Sequence, residues 1–196
     1  MPVWERSQRS VFQQCLNWRD KVLKHIRETK PDVVFMGLSR DYDLWDGQVI
    51  QSQDATNYWR EQLTAYLETI GKPAGEVVLL AETPFFPFDP VDCLADPDIA
   101  NCDPSTSIVV DDEYAALERR AANAADAKLL SINEILCPDD TCPVVSDDIV
   151  VYRDNHHVTA TFMEHLAEPI GNLLEGKPAY PTPVPTLAPE SAEPAA

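Results

Sequence analysis

The chain has 196 residues, enough for one domain with a real core, and 44% of them are hydrophobic. Its formal net charge of −18 argues against nucleic acid or an anionic membrane as a partner, because both would repel such a surface. The acidic residues are scattered in small clusters, Asp111-Asp112-Glu113, Asp139-Asp140 and Asp147-Asp148, which read as solvated loops and helix starts. No apolar run has the length of a membrane span, and the opening MPVWERSQRS holds no signal-peptide core, so any exporting element is expected upstream.

Apolar residues Val11, Cys15, Trp18, Val22 and Ile26 recur at helical spacing and predict an amphipathic helix over about 8–29, ended by Lys30-Pro31-Asp32. The unbroken apolar run 33–38, VVFMGL, predicts a buried strand. Asp54 is a candidate cap for a second helix lined by Trp59, Leu63, Tyr66 and Ile70 and closed by Gly71. VVLLA at 77–81 predicts a second strand, followed by a long loop with Pro84, Pro87 and Pro90. Residues 111–127 predict a third helix with acidic residues in its first turn, LLSI at 129–132 a third strand and IVVY at 149–152 a short fourth. A last helix is expected over 160–175, with Phe162, Leu166, Ile170 and Leu173 on one face. From Lys177 the chain is rich in Pro, Ala and Glu and is expected to be disordered, which leaves 1–176 as the domain.

This alternation of helix and strand implies an α/β three-layer sandwich around a parallel sheet. Functional groups in such folds gather at the carboxyl ends of the strands, here the loops 37–46, 82–92 and 152–158. The last of these, YRDNHHVT, holds Asp154 and His157 three residues apart just before a helix. A serine hydrolase needs an imidazole to take the nucleophile's proton and a carboxylate to fix the ring's tautomer, and one Asp-x-x-His turn supplies both. The alternative is that Asp154 or Thr159 caps the helix and the histidines are surface groups. Among the aromatics, Trp18 and Trp59 read as core by their spacing, whereas Tyr42, Trp45 and Phe85-Phe86 fall in loops where they could line an acyl or sugar site.

There are five cysteines. Cys93 and Cys102 bracket an acidic loop, and Cys137 and Cys142 bracket the turn CPDDTC, so two short-range disulfides are expected, with Cys15 left over. Five reduced cysteines in a cytosolic protein is the competing reading. Zinc held by Cys137, Cys142, His156 and His157 is weaker, because the spacing is loose and no second cysteine pair sits near it.

Several stretches in order resemble the SGNH (GDSL-like) hydrolase superfamily. More narrowly they resemble the C-terminal SGNH domain of bacterial membrane O-acyltransferases that modify cell-surface glycans. The stretches are CLNWRDKVLKHI (15–26), KPDVVFMGLSRDYDLW (30–45), GEVVLLAETPFFPFDPVDCL (75–94), CPDDTCPVV (137–145) and YRDNHHVTATF (152–162), and the resemblance covers about 3–175. It implies a Ser-His-Asp mechanism with His157 as general base and Asp154 as its orienting partner. The family's Gly-x-Asn-Asp block has its counterpart at Gly37-Leu38-Ser39-Arg40, where Gly37 matches and Ser39 stands in place of the oxyanion-hole asparagine. The alternative for Gly37 and Ser39 is an ordinary strand-to-loop turn.

The Gly-Asp-Ser nucleophile block of the family occurs nowhere in the chain. The resemblance therefore implies a domain shortened at its N-terminus, without its first strands and without the cysteine that would pair with Cys15. VVFMGL would then lie at a sheet edge, and the isolated chain would be poorly soluble or would dimerise there. The function implied is O-acyl transfer or ester hydrolysis on cell-envelope carbohydrate, outside the cell membrane or in the periplasm. The partners implied are a glycan or acyl-ester substrate and a membrane acyltransferase domain, with no cofactor and no metal. The alternative is a non-catalytic remnant or accessory binding module of the same fold.

Overall fold

The structure, a computed structural model, describes residues 3–5, 10–39, 43–45, 49–50 and 56–180. Four short strands, β1 (Val3–Glu5), β2 (Ser10–Val11), β4 (Asp43–Trp45) and β5 (Val49–Ile50), form an antiparallel sheet in the order β2-β1-β4-β5. The first helix, α1, runs Gln13–Thr29 and so starts later than the periodicity predicts, because Ser10 and Val11 pair with β1 instead. It ends at Lys30, whose backbone turns left-handed (φ 46°) and whose N–H returns to Ile26 O at 2.8 Å. Pro31, which has no N–H to continue the ladder, follows directly.

The central sheet is parallel, with β3 (Val33–Gly37), β6 (Glu76–Leu80) and β7 (Lys128–Leu130) in the order β3-β6-β7. Helices α2 (Thr56–Gly71) and α5 (Asp112–Ala124) make the crossovers. Asp111 caps α5 by accepting from the N–H groups of Glu113 and Tyr114, both at 3.0 Å. Asp54, the expected cap of α2, lies outside the described residues. One face of the sheet carries the main core. Trp59, Leu63, Leu67 and Ile70 of α2 meet Leu117, Ala121 and Ala122 of α5, Ile26 of α1, and Val77 and Leu79 of β6. The Trp59 indole N–H donates to the Tyr114 hydroxyl at 3.0 Å. The architecture is thus mixed α/β with a parallel sheet and flanking helices, an SGNH/flavodoxin-like fold.

Three expectations need correction. IVVY does not extend the parallel sheet. Instead β9 (Ile149–Val150) pairs antiparallel with β8 (Val145–Ser146). Asp147 and Asp148, both at positive φ (49° and 62°), turn between them, the conformation that joins two strands through a two-residue loop. The last helix is two, α7 (Ala160–His165) and α8 (Ala167–Leu174), because Pro169 cannot donate to the carbonyl four residues back and its ring would collide with it. Trp18 is not core: it is 62% exposed, whereas Trp59 is 3% exposed. Short helices α3 (Pro90–Ala95), α4 (Thr106–Val109) and α6 (Asn133–Leu136) add to the predicted set. Of the expected disordered tail, 181–196 lie outside the described residues.

Strand β3 pairs with β6, and among the described residues no strand lies on its other side. Val33 and Phe35 on its outer face are 41% and 51% exposed, so β3 is not the buried strand that its unbroken apolar run predicts.

Gly75 is the position where a side chain cannot be added. The α2-to-β6 turn brings it against the end of α1, with its N–H on Pro31 O at 3.0 Å and the Glu76 N–H on Asp32 O at 2.8 Å. A Cβ built there would sit 2.5 Å from Asp32 O, a backbone atom that cannot swing aside. Gly75→Ala is expected to destabilise the fold by about 1–3 kcal/mol. Denaturant unfolding measures this, and an unchanged midpoint would mean that the α1–β3 and α2–β6 turns are not packed as described.

Candidate functional site

Helix and strand choices in the C-terminal third build one loop cluster. A second core lies beneath it, made by Phe86, Leu136, Val144, Val151, Tyr152, Phe162, Leu166 and the two disulfides. Cys93–Cys102 and Cys137–Cys142 are bridged, with Cα separations of 5.9 and 4.0 Å, and Cys15 is unbridged. The bridge consumes the two thiols that a cysteine-histidine zinc site would use. Tyr152 is fully buried, and burial holds its hydroxyl well above the usual tyrosine range.

The loop after Tyr152 is a tight turn. The Arg153 N–H bonds His157 O at 2.8 Å, and Tyr152 and Val158 form an isolated bridge. Inside the turn, Asp154 Oδ1 accepts from the backbone N–H groups of His156 at 3.1 Å and His157 at 2.9 Å. The His157 Nδ1 lies 2.9 Å from Asp154 Oδ1 and 2.8 Å from Oδ2. Desolvation alone would raise the Asp154 carboxyl; the two backbone N–H groups and the His157 imidazole outweigh it and hold the carboxyl well below the usual carboxylate range. Asp154 is therefore the anionic anchor of its own loop. Thr159, not Asp154, caps α7, accepting from the Phe162 N–H at 3.2 Å.

A second loop, 81–86, is stitched to this one. The Thr83 hydroxyl donates to His156 O at 3.0 Å, and the Phe86 N–H donates to Asn155 O at 2.7 Å. The Phe85 ring stacks on the His156 imidazole, with centroids 5.0 Å apart and planes 6° apart. Behind the loop, the Glu82 N–H meets both carboxylate oxygens of Glu118 at 3.2 Å, and Asn133 Nδ2 donates to Glu82 O at 3.0 Å. Glu118 is 1% exposed on α5, a carboxyl-bearing side chain in the helix's apolar stripe beside Leu117, Ala121 and Ala122.

These loops close a cleft of about 390 Å³ at the carboxyl ends of β3 and β6. Gly37, Ser39, Glu82, Phe85, His156 and His157 are among its lining residues. Of the positions singled out in the sequence, Gly37, Ser39, Phe85, His156 and His157 thus border one cavity, and Asp154 reaches it through His157. Phe86 is instead core, at 0% exposure. Tyr42 lies outside the described residues, as does the side chain of Trp45. Glu118, Thr83 and the stacking role of Phe85 were not read from the sequence. Only Glu118 left a signal there, as a lone acid on an apolar helix face.

The site carries a paired imidazole and carboxylate in a cleft, the equipment for moving a proton to or from a bound group. A family described as "SGNH domain (fused to AT3 domains)" matches residues 1–171. No curated protein and no solved structure matches the chain. With nearly all of its length matched, and with a parallel α/β sheet of the expected kind, this chain belongs to the SGNH domains that are fused to AT3 domains.

Proposed function

We propose that the chain supplies the acid-base half of a Ser-His-Asp acyl-transfer site, in an O-acyltransferase or esterase domain that acts on cell-envelope carbohydrate. The observation that carries this reading is the His157 Nδ1 contact to Asp154 Oδ2 at 2.8 Å, in a loop that borders the same cleft as Gly37 and Ser39. With Nδ1–H donated to Asp154, the His157 Nε2 holds the lone pair that takes a serine hydroxyl proton, and the carboxylate stabilises the imidazolium that results. The imidazolium then returns the proton to the leaving group, and a sugar hydroxyl or water resolves the serine ester. Gly37, at the end of β3, and Ser39 line the same cleft, which supports assigning them to the oxyanion hole in this reading. No Gly-Asp-Ser triplet occurs in the 196 residues, so in this reading the nucleophile comes from a segment outside them. Membership of the AT3-fused family supports a membrane acyltransferase domain as the source of acyl groups. The two disulfides are compatible with a location outside the cytoplasm.

The test is esterase kinetics with an activated acetyl ester. In a longer form of the protein that carries a Gly-Asp-Ser block, His157→Ala is expected to lower kcat/KM by about 10³-fold or more. A loss below about tenfold would remove His157 from the mechanism. The 196-residue chain alone is expected to show no hydrolysis above its own His157→Ala variant. Turnover that disappears in that variant would point to another nucleophile, with Ser39 the first to replace.

A further inference from the structure

The cleft's two histidines and its aspartate are placed for more than proton transfer. One donor atom from each of Asp154, His156 and His157 can be chosen so that all three lie within 4.8 Å of one another. Measured to one carboxylate oxygen, Asp154 Oδ1, the separations are 2.9 Å from His157 Nδ1 and 3.6 Å from His156 Nδ1. Ligands bound tetrahedrally at about 2.0–2.1 Å from a zinc ion stand about 3.3 Å apart, between these two values. Two imidazoles with one carboxylate suit a divalent transition ion, whereas calcium and magnesium prefer oxygen donors throughout.

The three donors are also held. Two backbone N–H groups fix Asp154. Phe85 lies flat against His156, and Thr83 binds the carbonyl of His156. Asn155 Oδ1 accepts from the same His156 Nδ1 at 2.7 Å, so an ion bound there displaces that hydrogen bond as well as the one between His157 and Asp154. All three donor groups remain reachable, with 31% of the Asp154 and His156 side chains and 53% of His157 exposed. The chain's net charge of −18 favours the approach of a cation.

We propose that Asp154, His156 and His157 form a binding site for one divalent transition-metal ion of the zinc class. The ion takes the place of the proton between His157 and Asp154, so occupancy and the proton-transfer role exclude each other. The site leaves coordination positions open to the cleft, where water completes the shell. It does not depend on the acyl-transfer reading, since binding requires only the three side chains.

The experiment is calorimetric titration of the untagged, chelator-treated 196-residue chain with Zn²⁺, with thermal melts to check that each variant is folded. One ion per chain is expected to bind, and His156→Ala and His157→Ala are each expected to weaken binding at least about tenfold. Asp154→Asn provides a third ligand variant. His165→Ala is the control: this histidine lies 3.7 Å from Asp147, away from the cleft, and its loss should leave binding unchanged. Absence of saturable binding would overturn the proposal. So would binding that survives His156→Ala, or binding that is lost in His165→Ala. Failure here leaves the kinetic test of His157 standing, and failure of that kinetic test leaves this one standing.

Discussion

Reduction of both disulfides is expected to lower the melting temperature by roughly 10–20 °C. Each bridge closes a short loop, with 9 residues of separation in Cys93–Cys102 and 5 in Cys137–Cys142. Loop-closure entropy assigns each about 2–3 kcal/mol, so their joint loss approaches the whole stability of many domains. All four cysteines sit in the second core, with Cys142 fully buried, so the loosened loops are those that carry Phe86, Val144 and Tyr152. A Cys15→Ala background prevents thiol exchange with the unbridged residue. Calorimetric melts with and without reductant measure the shift. A change below about 5 °C would show that the second core holds without its bridges.

Phe86→Ala is expected to cost about 3–5 kcal/mol, and Phe85→Ala much less, although the two residues are neighbours. Phe86 is fully buried, its ring 4.5 Å from that of Tyr152 and 5.6 Å, edge to face, from that of Phe88. Truncation there leaves a cavity directly under the Asp154 loop, to which the Phe86 backbone is also bonded through Asn155 O. Phe85 points the other way, into the cleft, and its contact is the His156 ring. Urea unfolding separates the two variants by their midpoints at constant slope. If Phe86→Ala cost less than Phe85→Ala, the division into a core side and a cleft side of this loop would be reversed.

Periodicity and composition alone determined the order of the large elements and the parallel α/β class. Those signals arise from each segment's own need to bury one face: α1, α2 and α5 repeat every three to four residues, and VVFMG and EVVLL are short apolar runs. Both disulfides were also legible, because cysteines 9 and 5 residues apart in turn-rich loops have few other partners within reach. The Asp154–His157 contact was legible for a related reason, since three residues of one turn bring the two side chains together without help from the rest of the fold.

What lay beyond the sequence was set by contacts between distant segments. The Asp147-Asp148 turn sends IVVY into a hairpin, a pairing decided by what stands opposite each strand and not by the strand itself. Trp18 fits the helical repeat of α1, yet 62% of it is exposed, because periodicity marks the border of an apolar stripe but not which border residues receive a neighbour. The site's framework depends on pairs 36 to 73 residues apart, Glu118 beneath Glu82 and Thr83 against His156. No local pattern encodes such pairs. They exist because a parallel sheet brings the carboxyl ends of its strands together, and so places loops from three parts of the chain around one cleft.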